Sequence, residues 1–219
     1  MSSSQQLCPP GSLGRLSRRG GVARRPLGGR LAVNAASDAA HQTCSFQLGE
    51  STVVLETGRI GRQANGAVLA REGDTALFST ICCDPSTATD GSFLPLTVVY
   101  QERFSADGRT ASGFVKRDGK QRESEVLVSR LVDRPLRPVF ADGFCADTQI
   151  LQLVLSWGGD RMPDGLAITA AGAALAVSDI PSSKPVAGVR VGWLPGAPEP
   201  VVNPTIAQMA ESKVCTQPR

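Results

Sequence analysis

The run MPDGLAITAAGAALAVSDIP, residues 162–181, reads as a helix without a polar face. Pro163 and Asp164 suit a helix start, and Pro181 closes the segment. A helix that is apolar all round has to be covered all round. Ala167, Ala170, Ala171, Gly172, Ala173 and Ala174 carry so little bulk that a neighbouring backbone packs close to them. The rest of the chain must therefore wrap this helix in layers.

The segments before it supply a sheet. STVVLETGRI is a β-branched run with alternation around Val53, Leu55 and Thr57, and it ends at Gly58. GAVLAREGDTALFSTICC places two short apolar runs on either side of REGD, a tight charged turn with Gly73, so it reads as a hairpin. After the loop DPSTATDGS, the stretch FLPLTVVYQERF adds a further strand. About four strands with short connections make an antiparallel mixed sheet rather than a βαβ array.

RESEVLVSRLVDRP then changes period. Leu127 and Leu131 align as one apolar stripe, with Arg130 and Arg134 on a neighbouring face. Glu123 and Glu125 favour the first turn through the helix dipole, and Pro135 is expected to end the helix. TQILQLVLSW reads as another strand, and PVAGVRVGWLPGAPEPVVNP as a final strand pair around a Gly/Pro turn. The fold class expected is α+β, a β-sheet packed with helices.

A chain of 219 residues, 41% hydrophobic, has room for one substantial domain. It has no apolar run of about 18 residues or more, so no helical membrane span is expected. Cys8, Cys44, Cys82, Cys83, Cys145 and Cys215 show no C-x-x-C spacing, and His41 is the only histidine. Neither a structural zinc nor a disulfide framework follows from that pattern; buried free thiols do.

Charge is concentrated at one end. Residues 1–44 hold six arginines and one acid, Asp38, which leaves residues 45–219 at a net charge of −2 in a chain of +3. This first segment is rich in Ser, Gly, Pro and Arg and lacks the apolar stretch of a secretory signal. It reads as an organelle transit peptide, disordered, with a processing point near Val33–Ala36. Its serine-rich start favours the chloroplast, with the mitochondrion as the alternative.

No nucleotide-binding glycine motif is present, and His41 lies in the leader, so a Ser–His or Cys–His relay lacks a base. A pair among Asp133, Asp142, Asp147, Asp160, Asp164 and Asp179 could hold Mg²⁺, but no spacing singles one out. Asp164 is read as a helix-start residue and Asp133 as the partner of a nearby base. What remains is GFVKRDGKQRE, residues 113–123, with Lys116, Arg117, Lys120 and Arg122 inside seven positions. A solvated loop is one reading. The other is a contact for a phosphodiester backbone, with Phe114 as a stacking platform.

From Phe46 to about Val214 the chain resembles the first RNase PH-type core of the polynucleotide phosphorylase family. The resemblance is carried by FQLGESTVVLETGRIGRQANGAVLAREGDTALFSTI, FLPLTVVYQERFSADGR, GFVKRDG, SRLVDRPLRPVFADGF, PDGLAITAAGAALAVSDIP and VVNPT. It implies three parts: a leader over 1–44, an RNase PH-like core over 45–214, and a divergent tail over 215–219. It also implies a part in 3′-to-5′ phosphorolytic exoribonuclease action, in which inorganic phosphate attacks the terminal linkage of RNA. Mg²⁺ and phosphate serve the full-length enzyme, whose chains assemble as a homotrimer around single-stranded RNA.

The family places paired aromatics and arginines on a loop facing the RNA channel. Here that loop offers Phe114, Lys116, Arg117 and Lys120 as RNA-binding residues, with Arg117 as a candidate phosphate contact. Val115 and Lys116 stand where the family shows an aromatic and an arginine, so charge is kept while stacking and forked bonding are reduced. The resemblance assigns no catalytic residue and no metal ligand to this chain, because the family attributes its chemistry to a second core. The tail VCTQPR departs from the expected continuation, so a shortened product is expected. The alternative is a non-catalytic RNA-binding or assembly module.

Overall fold

From Gln42 onward the chain builds consecutive antiparallel strands, most of them alternating and β4 a continuous apolar run: β2 (Gln42–Leu48), β3 (Ser51–Thr57), β4 (Gly66–Glu72) and β5 (Thr75–Asp84), preceded by the short β1 (Ala32–Asn34). A computed structural model describes residues 32–34, 41–84, 93–111, 114, 120–195, 199–212 and 214–216. The REGD turn is the expected hairpin: Glu72 pairs with Thr75, and Gly73 turns the chain at φ 58°. That left-handed region is the one glycine enters without strain. β1 and the start of β2 fall within the segment read from sequence as a leader.

The chain next forms β6 (Leu96–Glu102), α1 (Glu123–Leu136) and β7 (Asp147–Ser156). β7 inserts between β5 and β6, giving the order β1-β2-β3-β4-β5-β7-β6. It runs antiparallel to β5 and parallel to β6. One βαβ crossover is thus grafted onto an antiparallel sheet, and β6 becomes an edge strand.

α2 (Asp164–Val177) is the apolar helix expected within residues 162–181, and it lies on β4 and β5 while α1 lies on β6. Leu166, Ala167, Ala170, Ala171 and Ala174 meet Val68, Leu77, Ile81 and Ile150 from the sheet in one core. Gly172 shows why small residues are needed: a Cβ there would run into the Val186 carbonyl. On the opposite face of the sheet, Leu151 and Leu155 of β7 are exposed, whereas Ala67 and Leu69 of β4 are buried.

The end of the described chain holds three strands where two were expected. β8 (Val191–Trp193) lies between β9 (Val201–Val202) and β10 (Val214–Thr216), with α3 (Ile206–Glu211) between the last two in sequence. A buried carboxylate ties this unit to the large sheet. Glu72 accepts hydrogen bonds from Ser51 Oγ (2.6 Å) and from Asn203 Nδ2 (3.2 Å). Arg161 lies 3.9 Å from the same carboxylate, and its Nε donates to the Asn203 carbonyl at 3.0 Å.

Two sequence expectations need correction. Pro135 does not end α1, which runs on to Leu136 and then into a 3₁₀ turn over Arg137–Val139. Fully buried Leu136 and the Arg137 N–H bond to the Asp133 carbonyl hold the chain helical past the proline. Among the described residues the cysteines are not buried: Cys82 is exposed, and Cys44, Cys83 and Cys145 are half-buried. Cys82 pairs with Gln149 of β7 and faces the side of the sheet away from α2.

Candidate nucleic-acid interface

Every second backbone group of β6 points away from β7, at an edge that would otherwise recruit another strand. α1 covers it with side chains that can hydrogen-bond. Ser129 Oγ accepts the Tyr100 N–H at 3.1 Å and donates to the Glu125 carbonyl at 2.9 Å. Glu125 Oε1 accepts the Glu102 N–H at 2.9 Å, and its Oε2 accepts the Arg122 N–H at 2.7 Å, closing the helix start. Gln121 Nε2 donates to the Tyr100 carbonyl at 2.9 Å.

Arg137 does the same work at the other end. Its Nη1 donates to the Leu94 carbonyl at 2.8 Å and its Nη2 to the Leu96 carbonyl at 3.3 Å. Asp133 takes the remaining face of the guanidinium in a two-bond pair at 2.8 and 3.3 Å, over the Phe93 ring. Asp133 and Arg137 are therefore partners in holding the edge, as the sequence reading favoured. Arg130 and Arg134 are exposed.

The inward face of α1 consequently differs from the expected stripe. Glu125, Ser129, Val132 and Leu136 are buried, whereas Leu127 is 64% exposed. Leu131 packs partly against the core. Hydrophobic periodicity assumes an apolar partner, but part of what this helix meets is an open row of peptide groups.

This scaffold fixes both ends of the basic segment. On the incoming side, β6 leads through Arg103 into a 3₁₀ turn, Phe104–Asp107, pinned to the end of β7 by the Trp157 N–H to Ala106 carbonyl bond (3.0 Å). On the outgoing side the chain passes through Lys120 and Gln121 into α1. Phe114 stands fully exposed at 104% of its reference surface, and Lys120 is exposed. Lys116 and Arg117 lie outside the described residues, so the two side chains central to the expected contact have no described geometry.

The carboxylates do not converge. Asp164 is buried at the start of α2, where its Oδ1 accepts the Gly165 N–H at 2.9 Å and its Oδ2 pairs with Arg190. Asp142, Asp147, Asp160 and Asp179 are exposed and scattered. Among the described residues no three His, Cys, Asp or Glu side chains gather to hold a metal ion, so these residues do not fit a Mg²⁺ centre. Buried Tyr100 donates to Glu102 Oε1 at 2.8 Å, and burial first, then the Glu102 charge, pushes its phenol far above the ordinary range. Burial likewise raises the Cys83 thiol. A hollow of about 260 Å³ between residues 57–67 and Val177 has Arg62 as its one charged lining residue.

The profile of the 3′ exoribonuclease family, domain 1 (RNase PH), matches residues 51–181. The chain belongs to this family. The match begins at β3 and ends just past α2, so it takes in α1, the edge strand and the basic loop. Among curated relatives, the polyribonucleotide nucleotidyltransferase of Protochlamydia amoebophila is 48% identical over 173 residues, 79% of this chain and 24% of the relative. That of Chlamydia pneumoniae is 51% identical over 173 residues, 78% of this chain and 24% of the relative. The rice protein named "Probable polyribonucleotide nucleotidyltransferase 1, chloroplastic" is 47% identical over 167 residues, 76% of this chain and 18% of the relative. The chain thus spans about a quarter or less of the curated relatives it matches. In fold it is similar to rice Rrp46, with a TM-score of 0.55 at 18% identity, covering 77% of this chain and 74% of that one.

The sequence reading missed the Arg122–Phe104 stack, the Glu125–Ser129 pair on the edge strand, and Arg190 as the partner of Asp164. Glu125 alone carried a signal: an acid three residues after a helix start is the mark of a capping box.

Proposed function

We propose that this chain supplies the first core of a 3′-to-5′ phosphorolytic exoribonuclease, a polyribonucleotide nucleotidyltransferase, and contributes RNA binding and ring assembly to it. The observation that carries the reading is the family match over residues 51–181, which includes the cationic segment. Phe114, Lys116, Arg117 and Lys120 are its RNA contacts, with Arg117 on a phosphate. The full exposure of Phe114 and the exposure of Lys120 support that assignment. Lysine and arginine attract the sugar–phosphate strand, while one aromatic gives a base somewhere to stack.

Phosphate is the attacking group in this chemistry and Mg²⁺ its companion in the whole enzyme. A homotrimeric ring and a chloroplast address complete the proposal; the chloroplastic rice relative supports the second. Residues 1–44 would serve as the transit peptide, and 45–214 as the core.

The test is incubation of the purified chain with poly(A), inorganic phosphate and Mg²⁺. RNA retention together with nucleoside diphosphate release, by this chain or on adding the remaining part of a relative, supports the proposal. Retention that never leads to turnover in either arrangement makes the chain a non-catalytic RNA-binding module. No retention refutes both.

A further inference from the structure

One cation beside the loop is built differently from the rest. The Arg122 guanidinium lies 4.7 Å from the centre of the Phe104 ring, within the distance at which a cation is drawn to an aromatic face. Arg122 is the residue before α1, and Phe104 opens the 3₁₀ turn that leaves β6, so the contact joins the two ends of the basic segment.

The acids around this pair are already engaged. Asp107 pairs with Arg109 at 2.8 Å, Glu125 accepts two backbone N–H groups, and Glu102 takes the Tyr100 hydroxyl. Glu123 is the remaining nearby acid, exposed on the first turn of α1. Among the described residues Arg122 forms no ion pair, and Arg103 and Lys120 are exposed close by in sequence. A guanidinium drawn over a ring face still has N–H groups to donate, and its planar fork matches two phosphate oxygens at once.

We infer that Arg122, seated on Phe104, is a phosphodiester contact for single-stranded RNA at the foot of the loop, in addition to the four loop residues. The inference rests on the RNA-binding reading and extends it. Lys116 and Lys120 are point charges on flexible stems, whereas this guanidinium is already drawn over the Phe104 ring before the strand arrives. It offsets part of the forked bonding that the loop gives up by carrying Lys116.

The test compares poly(A) affinity and its salt dependence for the full chain and for Arg122→Gln, Arg122→Lys and Phe104→Leu. The Arg122 backbone N–H, not its side chain, is what Glu125 accepts, so the Arg122 substitutions leave the helix start intact. Arg122→Gln is expected to weaken binding about tenfold and to lower the log–log salt slope by about 0.7, the loss of one phosphate contact on a single strand. Arg122→Lys and Phe104→Leu are expected to weaken binding several-fold while leaving the slope unchanged, since the charge remains but its orientation is lost. If the unsubstituted chain binds poly(A) and Arg122→Gln changes neither affinity nor slope, this inference falls while the loop reading stands. If the unsubstituted chain does not bind poly(A), both fall.

Discussion

Ser129 on α1 accepts the amide N–H of Tyr100 on β6 at 3.1 Å, across the open edge of the large sheet. A helix side chain stands there in place of the next strand. Glu125, Gln121 and Arg137 repeat the arrangement along the same edge, so α1 serves both as a core element and as an edge guard. The basic loop springs from this guarded edge, and its mouth is only as well placed as these bonds make it.

Replacing Ser129 with alanine should therefore cost more than a surface substitution. It leaves the Tyr100 N–H without its partner in a buried position, a loss of about 1–3 kcal/mol. Urea unfolding should show a lower midpoint with an unchanged slope. Ser129→Thr, which keeps an oxygen, should recover part of the loss.

Asp164 and Arg190 offer a second check. Both side chains are nearly buried, at 11% and 13% exposure. Asp164→Asn strands the guanidinium and should destabilise the chain by about 3–5 kcal/mol. Replacing both partners by apolar residues of similar size should cost less than either single change, and thermal melts of the three variants would reveal that order.

Tyr100 is the chain's only tyrosine, so its ionisation can be followed without interference. Its folded-state phenol is raised above the ordinary 10.0, chiefly by burial. The stability linked to it is thus fully present below pH ~10 and is lost as pH rises above that value, because only the unfolded chain releases the proton there. Tyrosinate absorbance should stay flat on titration through pH ~10 and appear together with loss of secondary structure. A smooth rise in a still-folded chain would contradict the buried Tyr100–Glu102 pair.

Much of this architecture could be read in the residues. The hairpin at Gly73 announced itself by turn chemistry, and α2 by having no polar face to show. Asp133 was readable as a local partner because a base four residues on lies on the same side of a helix. The inward face of α1 was not readable from apolar spacing. Leu127 looked like core and Glu125 like a first-turn acid set by the helix dipole; the structure exposes the first and buries the second because the helix meets an unpaired strand edge. The position of β7 inside the sheet is a long-range pairing that no local pattern encodes. For the site, the clustering of cations was plain, but the contact between Arg122 and Phe104 brings together residues separated by the whole loop.

The central claim is that the segment Phe114–Lys120 meets the phosphate backbone of single-stranded RNA, and its most direct test is the salt dependence of poly(A) binding. Changing Lys116, Arg117 and Lys120 together to alanine removes three cations. The slope of log affinity against log salt should become shallower by about 2, with binding weakened to a similar degree across RNA sequences. An unchanged slope and affinity in that triple variant would contradict the account.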